Sequence, residues 1–551
     1  MSGVDLGFGV AGLIMAFKGA VDGALWIQSF SDDAKEGCGH LALRYHIETI
    51  RLRVWGDLCK VNPANVEQCT LQDRPAYIKE AVVRILGEIG KLNEEAGRLV
   101  EKHKIGMPEL RSRDSSGDLQ AGVSLHRIPA KYPVKPKARF LWTLKRKADF
   151  EKVVSKIQAL NVDLRDFTLH YDEPQLLTKA LLSHVIVSVN DHELLKILAD
   201  PGYNFDRTLA VSALAKSLQQ DQLQQQDHPP RSLRRPSFIT DKDLKFLTSS
   251  STLGILTQQS GTMLTVWIEW NPVVTGNRWT EYVEWIHSLG YQLERLGGCT
   301  LRLPTCYGVY DDLDYESKYG TKRIGYVFGP PQDHTPHPYD GDLHTKPPKT
   351  LRTLIKNQGR IPIPPLGDRF QLAFTLASAF SRFHAAGWLH KGLHSGNIVF
   401  LERDDDGGIS VTEPFITGFQ YSRPQGEISQ SRGPLEDRKL QHYYHPDADM
   451  GFSKQRDLYG LGVVLYEVGC WGLVANSFKD PRKMPTDRAA WRTYLVDRVV
   501  KDLGWRMGTA YQKVVMTLLQ DRLPNDDETD DMFFVQQYLE KVIRPLIACK
   551  A

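Results

Sequence analysis

Residues 387–400 read GWLHKGLHSGNIVF, a loop of Gly, His and Lys between apolar runs, and this stretch decides the fold of the second half of the chain. Before it, Phe370, Phe374, Ala377 and Phe383 recur at helical spacing within 369–387, and a second helical pattern covers 455–470. Further upstream, short alternating runs at 264–270 and 323–328 read as strands. Strands followed mostly by helices predict, for residues 241–551, an α+β region in which a small sheet-rich lobe joins a larger helical lobe.

Working outward, LQQDQLQQQD and HPPRSLRRPS within 217–237 hold too few apolar residues to build a core and predict a linker, bounded here at 216–240. Three stripes with 3-and-4 spacing precede it. They are Leu41, Tyr45, Leu52, Trp55 and Cys59; Ile78, Val82, Ile85, Ile89, Leu92, Ala96 and Leu99; and Phe150, Val153, Ile157, Leu160, Leu164 and Phe167. Further helices are expected at 174–199 and 205–222, with Pro63, Pro75 and the prolines of 129–136 between elements. Residues 1–215 therefore predict an all-α helical bundle, and the chain is multidomain.

Composition agrees with folding in water: 551 residues, 41% apolar and 25% charged, exclude a collagen-like, disordered or polytopic membrane chain. The 69 basic and 66 acidic residues leave a charge of +3, too balanced for a dedicated nucleic-acid binder, and no nucleic-acid partner is expected. Cysteines 38, 59, 69, 299, 306, 470 and 549 form no C-x-x-C pair, which argues against a disulfide framework and for a cytoplasmic chain. His334, His337 and His344, and His442 with His445, have no partner ligands in the sequence, so no metal site is expected.

Two N-terminal features bear on membranes. From Leu6 to Phe30 the only charges are Lys18 and Asp22, four residues apart and able to neutralise one another on a helix. Its uncharged run is shorter than the ~20 residues of a spanning helix, and two readings stand: a buried amphipathic helix or a conditionally inserting one. Residues 126–147 carry Arg127, Lys131, Lys135, Lys137, Arg139, Lys145, Arg146 and Lys147 with no acid, interleaved with Tyr132, Phe140 and Trp142. Such a tract suits contact with anionic headgroups, and equally a solvated helix start and linker.

The stretch at 387–400 resembles the catalytic loop of protein kinases, H-R-D-L-x-x-x-N, through His390, Lys391, Gly392, Leu393 and Asn397. The catalytic aspartate position holds Gly392. In EPFITGFQYSRP (413–424) the metal-binding aspartate falls on Thr417, and RDLYGLGVVLYEV (456–468) resembles a later family helix with Asp457 and Gly462 at structural positions. TMLTVWIEW (262–270) resembles the strand that should carry the phosphate-pairing lysine, yet 246–317 contain none, and only Gly254 and Gly261 remain of a Gly-rich loop. YVFGPP (326–331) resembles the interlobe hinge, placing a nucleotide-sized crevice at Val327, Phe328 and Gly329. The resemblance implies a pseudokinase that is not an enzyme and has no cofactor, since the catalytic aspartate, one of the two Mg²⁺ ligands and the phosphate-pairing lysine are lost while Asn397 survives; an atypical kinase would need a displaced carboxylate such as Glu413 or Asp404.

The N-terminal segments GFGVAGLIMAFKGAVDGALWIQSF, LRYHIETIRLRVWGDLCKVN and LWTLKRKADFEKVV resemble the fungal HeLo domain of prion-inhibition and propagation proteins. That resemblance implies a bundle whose toxic form exposes the N-terminal segment to membrane, through Leu6, Phe8, Leu13, Ile14, Phe17, Leu25 and Trp26. The combined plan is similar to that of the mixed-lineage kinase-like necroptosis effector. It implies a cell-death effector that self-oligomerises, associates conditionally with an anionic plasma membrane and answers to an upstream receptor or HeLo-containing partner. A passive scaffold for such partners is the other class.

Overall fold

The computed structural model describes residues 10–28, 39–61, 69–72, 74–101, 144–168, 173–203, 205–226, 235–247, 252–271, 279–331, 342–357, 362–403, 408–419, 422–424, 439–478, 480, 484–524 and 530–550. The chain divides into two compact units, Met1–Leu181 and Leu182–Ala551.

The first unit contains α1 (Val10–Gln28), α2 (Gly39–Leu58), α3 (Ala76–Glu101) and α4 (Leu144–Thr168), and α5 (Glu173–Ser188) crosses the division. The predicted stripes are its core. Leu13, Ile14 and Ala20 of α1 join Leu52, Trp55, Val82, Leu86, Ile89 and Leu164, while Leu41, Tyr45, Leu92 and Ala96 meet Phe150, Val153 and Ile157. Phe167 departs from the expectation: it is half exposed in the last turn of α4, where the core ends at Leu164. Gly56 is required by close approach, because a Cβ there would strike the ring of Phe17 at 2.1 Å. Buried polar groups pin the helices to one another. Tyr45 donates to Asn93 Oδ1 (2.8 Å), whose amide donates to the Ala20 carbonyl (2.7 Å), and Trp55 Nε1 donates to Thr168 Oγ1 (2.7 Å).

In the second unit, α6 (His192–Ala199) and α7 (Arg207–Gln226) lead to a six-stranded sheet. Its strands are β1 (Phe238–Ile239), β2 (Leu244–Phe246), β3 (Leu253–Thr257), β4 (Met263–Trp270), β5 (Thr305–Asp311) and β6 (Ile324–Gly329), ordered β1-β5-β6-β4-β3-β2. Among the described strands of this sheet only β1 with β5 is parallel. Between β4 and β5 lies α8 (Trp279–Leu296), and α9 (Leu313–Tyr319) follows β5. Then come β7 (Lys349–Thr350), α10 (Leu351–Lys356), α11 (Leu366–Ala385), β8 (Trp388–Leu389), β9 (Ile398–Phe400), β10 (Phe415–Ile416) and β11 (Arg423–Pro424). The unit closes with α12 (Lys454–Cys470), α13 (Arg488–Leu519), α14 (Asp531–Tyr538) and α15 (Arg544–Ile547). This is a mixed region with a sheet-rich part followed by a helical part.

Two expected boundaries shift. The compact units divide at Leu181/Leu182, whereas the bundle was expected to run to 215, and α7 carries the helix expected over 205–222 on to Gln226, inside the expected 216–240 linker, which also holds β1. The reason lies in the polar side chains, which bond to main-chain oxygens within this unit. Lys216 Nζ donates to the carbonyls of Ile186 (2.7 Å) and Val187 (3.2 Å), Gln219 donates to the Gly387 carbonyl, and Gln220 to that of Asn190 (3.1 Å). The expected single helix over 174–199 breaks because the Asp191 side chain caps α6 through the N–H groups of Glu193 and Leu194.

Candidate functional site

Asp457, near the start of α12, organises the 390–397 loop. Its side chain is buried and accepts from the backbone N–H of His390 (Oδ2, 2.9 Å) and Lys391 (Oδ1, 2.8 Å), and it meets His384 Nε2 at 2.9 Å. Burial works against its charge, but the hydrogen bond and charge of His384, with His390 beyond, hold its carboxyl below the ordinary value. His390 Nε2 meets the Thr417 carbonyl (2.8 Å), so this nitrogen carries the proton, and burial lowers the pKa of the ring. Asn397 donates to the Gly392 carbonyl (2.9 Å), and the Thr417 N–H donates to the Asn397 carbonyl (2.9 Å). His390, Leu393, Asn397, Thr417 and Asp457 are thereby brought together, while Gly462 lies further along α12 against Leu518 and Leu519.

Gly418 has φ +83°, and a Cβ there would meet Asn397 Nδ2 at 2.0 Å, so no other residue fits this turn. The turn aims Phe419 at His390 (ring centroids 4.9 Å) and Phe383 (6.1 Å). It also presents the N–H groups of Gly418 and Phe419 to the Glu269 carboxylate on β4. The carboxyl end of Glu269 is enclosed, and burial pushes its pKa up to about 7 against those two donors.

Glu269 is the residue that reading the sequence missed. Next to it, Trp267 packs with Leu253, Leu343, Val399, Leu401 and Phe415, and its ring lies 5.9 Å from that of Phe328. Val327, Phe328 and Gly329 are buried, and a Cβ on Gly329 would meet the Tyr307 ring at 2.7 Å. Aromatic rings therefore lie beside the expected crevice residues: Trp267 next to Phe328, and Tyr307 next to Gly329. The signal was in VWIE (266–269), where a V-A-I-K strand has a small residue and a lysine.

Glu413, the displaced carboxylate considered above, forms an ion pair with Arg403, and Asp404 lies outside the described residues. His442 packs between Tyr443 and Trp491, and His445 Nε2 meets Asp521 (3.0 Å). Among the described residues no group of three His, Cys, Asp or Glu could hold a metal ion; His334 and His337 are outside them.

In the first unit, Leu13 and Ile14 are core residues and Phe17 is partly buried, its ring 5.8 Å from that of Trp55. Met15 and Lys18 occupy the exposed face of α1. Leu6 and Phe8 lie outside the described residues, as do Arg127, Lys131, Lys135, Lys137 and Arg139; Leu25, Trp26, Lys145 and Arg146 are described only as helix backbone, and Lys147 is partly buried. No described helix is long and apolar enough to cross a membrane.

The docked α1 and its partner helices lie within the span of one family comparison. Residues 6–198 match the HeLo family, described as prion-inhibition and propagation. The match ends in α6, past the four helices of the first unit. No curated protein matches the chain.

Proposed function

We propose that this chain is a regulated cell-death effector in which the HeLo-matching bundle oligomerises and permeabilises membrane under the control of a catalytically dead kinase-like region. The observation that carries the proposal is the joining of a HeLo-matching bundle to a second unit with a kinase-like loop and no catalytic acid at Gly392. Support for the kinase-like reading comes from the sheet order β2-β3-β4-β6-β5 with α8 between β4 and β5, and from Asp457 holding the main chain of the His390 loop. Support for the loss of catalysis comes from Glu269, a carboxylate at the position where the resembled strand carries its lysine, and from Trp267, which packs against Leu343, Val399, Leu401 and Phe415 beside it.

The bundle would act by releasing α1 from Leu52, Trp55 and Ile89, exposing Leu13, Ile14 and Phe17 to lipid, while the 126–147 tract meets anionic headgroups. The test is dye release from vesicles containing anionic lipid, comparing the full chain with one ending at Gln226, each checked for helicity. Release by the shorter chain above that of the full chain is expected; no release from a folded shorter chain would refute permeabilisation. The burial of Leu13 and Ile14 favours one second reading, a scaffold whose bundle stays closed and binds a HeLo-containing partner or upstream receptor. That reading predicts binding without release.

A further inference from the structure

The helical part of the second unit holds a cavity of about 370 Å³, away from the residues discussed above. It is lined by α10 (Ile355, Lys356), α12 (Tyr466, Cys470), α13 (Arg498, Asp502, Arg506) and the loop 472–477. On α13 the charged residues stand at i, i+4 and i+8, which places them on one helical face. Three cationic heads thus face one carboxylate. That carboxylate is already engaged, since Asp502 pairs with Arg498 (2.7 Å) and accepts from Tyr466 (3.0 Å). Arg506 lies 4.2 Å over the ring of exposed Trp505, and neither Arg506 nor Lys356 has a carboxylate partner among the described residues. Arg369 adds a further positive charge near Arg506, and the buried Nε of Arg498 has no hydrogen-bond partner.

A concave site with surplus positive charge, two arginines with planar donors and a hydroxyl at its wall suits a compact dianion better than a neutral or cationic ligand. Cys470, whose thiol is pushed up by burial, contributes a neutral wall. We infer that this cavity binds a phosphomonoester group, held by the exposed heads of Arg506 and Lys356, with Arg498, fixed by Asp502, adding positive charge at the wall. The site stands apart from the membrane and kinase-like readings and does not depend on them. Its chemistry is shared by a soluble phosphorylated metabolite and by a phosphatidic acid headgroup.

The experiment uses the full chain at 150 mM salt, with glycerol 3-phosphate and inorganic phosphate in titration calorimetry, and phosphatidic acid vesicles in sedimentation. Saturable binding is expected, weakened at least tenfold by Arg506→Ala and by Lys356→Ala and unchanged by Lys501→Ala, which removes a residue paired with Asp497 outside the cavity lining. Arg506 and Lys356 are exposed, so these changes spare the fold, and calorimetric melting verifies it. Binding of the soluble probes identifies a metabolite site; binding confined to vesicles and lost in the same variants identifies a headgroup site. Absence of saturable binding to all three probes, or binding indifferent to both substitutions, overturns the inference.

Discussion

Helices α1 and α12 are both rich in apolar residues, but they are held differently. Along α12, fourteen of seventeen residues are buried, including the charged Lys454, Asp457 and Glu467. In α1 the described side chains alternate between buried Leu13, Ile14 and Ala20 and exposed Met15, Lys18 and Gly19. A helix enclosed on all sides carries the structure of its unit, whereas one buried on a single face can leave at the cost of that face alone. By this measure α1 is the less enclosed of the two helices.

The largest expected effect breaks the α12 side. Asp457→Ala leaves two backbone N–H groups and His384 without their acceptor and should cost the second unit about 3–5 kcal/mol. Hydrogen exchange should localise the loss to 384–397, and unchanged protection there would show that the loop is held by other means. Leu13→Ala is the corresponding test for α1: a fully buried leucine truncated in the core should cost about 2–5 kcal/mol. Calorimetry should show the loss in the first unit with the second unmoved. For the same reason Leu13→Glu is unsuited to testing insertion, because it would unfold the bundle before lipid is met.

Glu467 sharpens the comparison through pH. It is fully buried, accepts from Tyr443 (2.8 Å) and from the Val474 N–H (3.0 Å), and burial raises its pKa to about 7. A carboxyl raised from 4.5 keeps its proton in the folded state after the unfolded chain has lost it. Its contribution is therefore present below pH 4.5 and falls as pH rises to about 7. Glu467→Gln should gain stability relative to the parent across that window, by at most about 3 kcal/mol, and a difference flat from pH 4.5 to 8 would contradict it. The smallest effect on stability, within about 0.5 kcal/mol, is expected for Met15→Glu on the exposed face of α1. This variant should nevertheless abolish dye release, since a charge in the helix opposes entry into lipid; full release by the folded variant would rule out insertion of α1.

The apolar stripes made α2, α3 and α4 of the first unit legible, because 3-and-4 spacing is a direct record of a buried face, while α1 was legible only as a largely uncharged stretch. The 455–470 helix and the strands around Leu264 and Ile324 were legible for similar reasons. The helix expected over 205–222 already held Gln219 and Gln220, but its continuation to Gln226 and its place in the second unit were not legible, since those glutamines serve main-chain carbonyls that are remote in sequence and that composition cannot reveal. At the candidate site, Glu269 meets backbone N–H groups at Gly418 and Phe419, which bear no sequence signature. The cavity beside Arg498 and Arg506 had only its i, i+4, i+8 charges in view. Its third cation comes from α10, more than a hundred residues earlier.

Asp457 grips main-chain N–H groups, and Asn397 likewise reaches the carbonyl of residue 392 and not its side chain. The shape of the loop is therefore indifferent to what residue 392 carries. The clamp is thus built from main chain and two polar side chains, and it leaves the side-chain position at 392 as an open slot in a loop whose path is fixed without it.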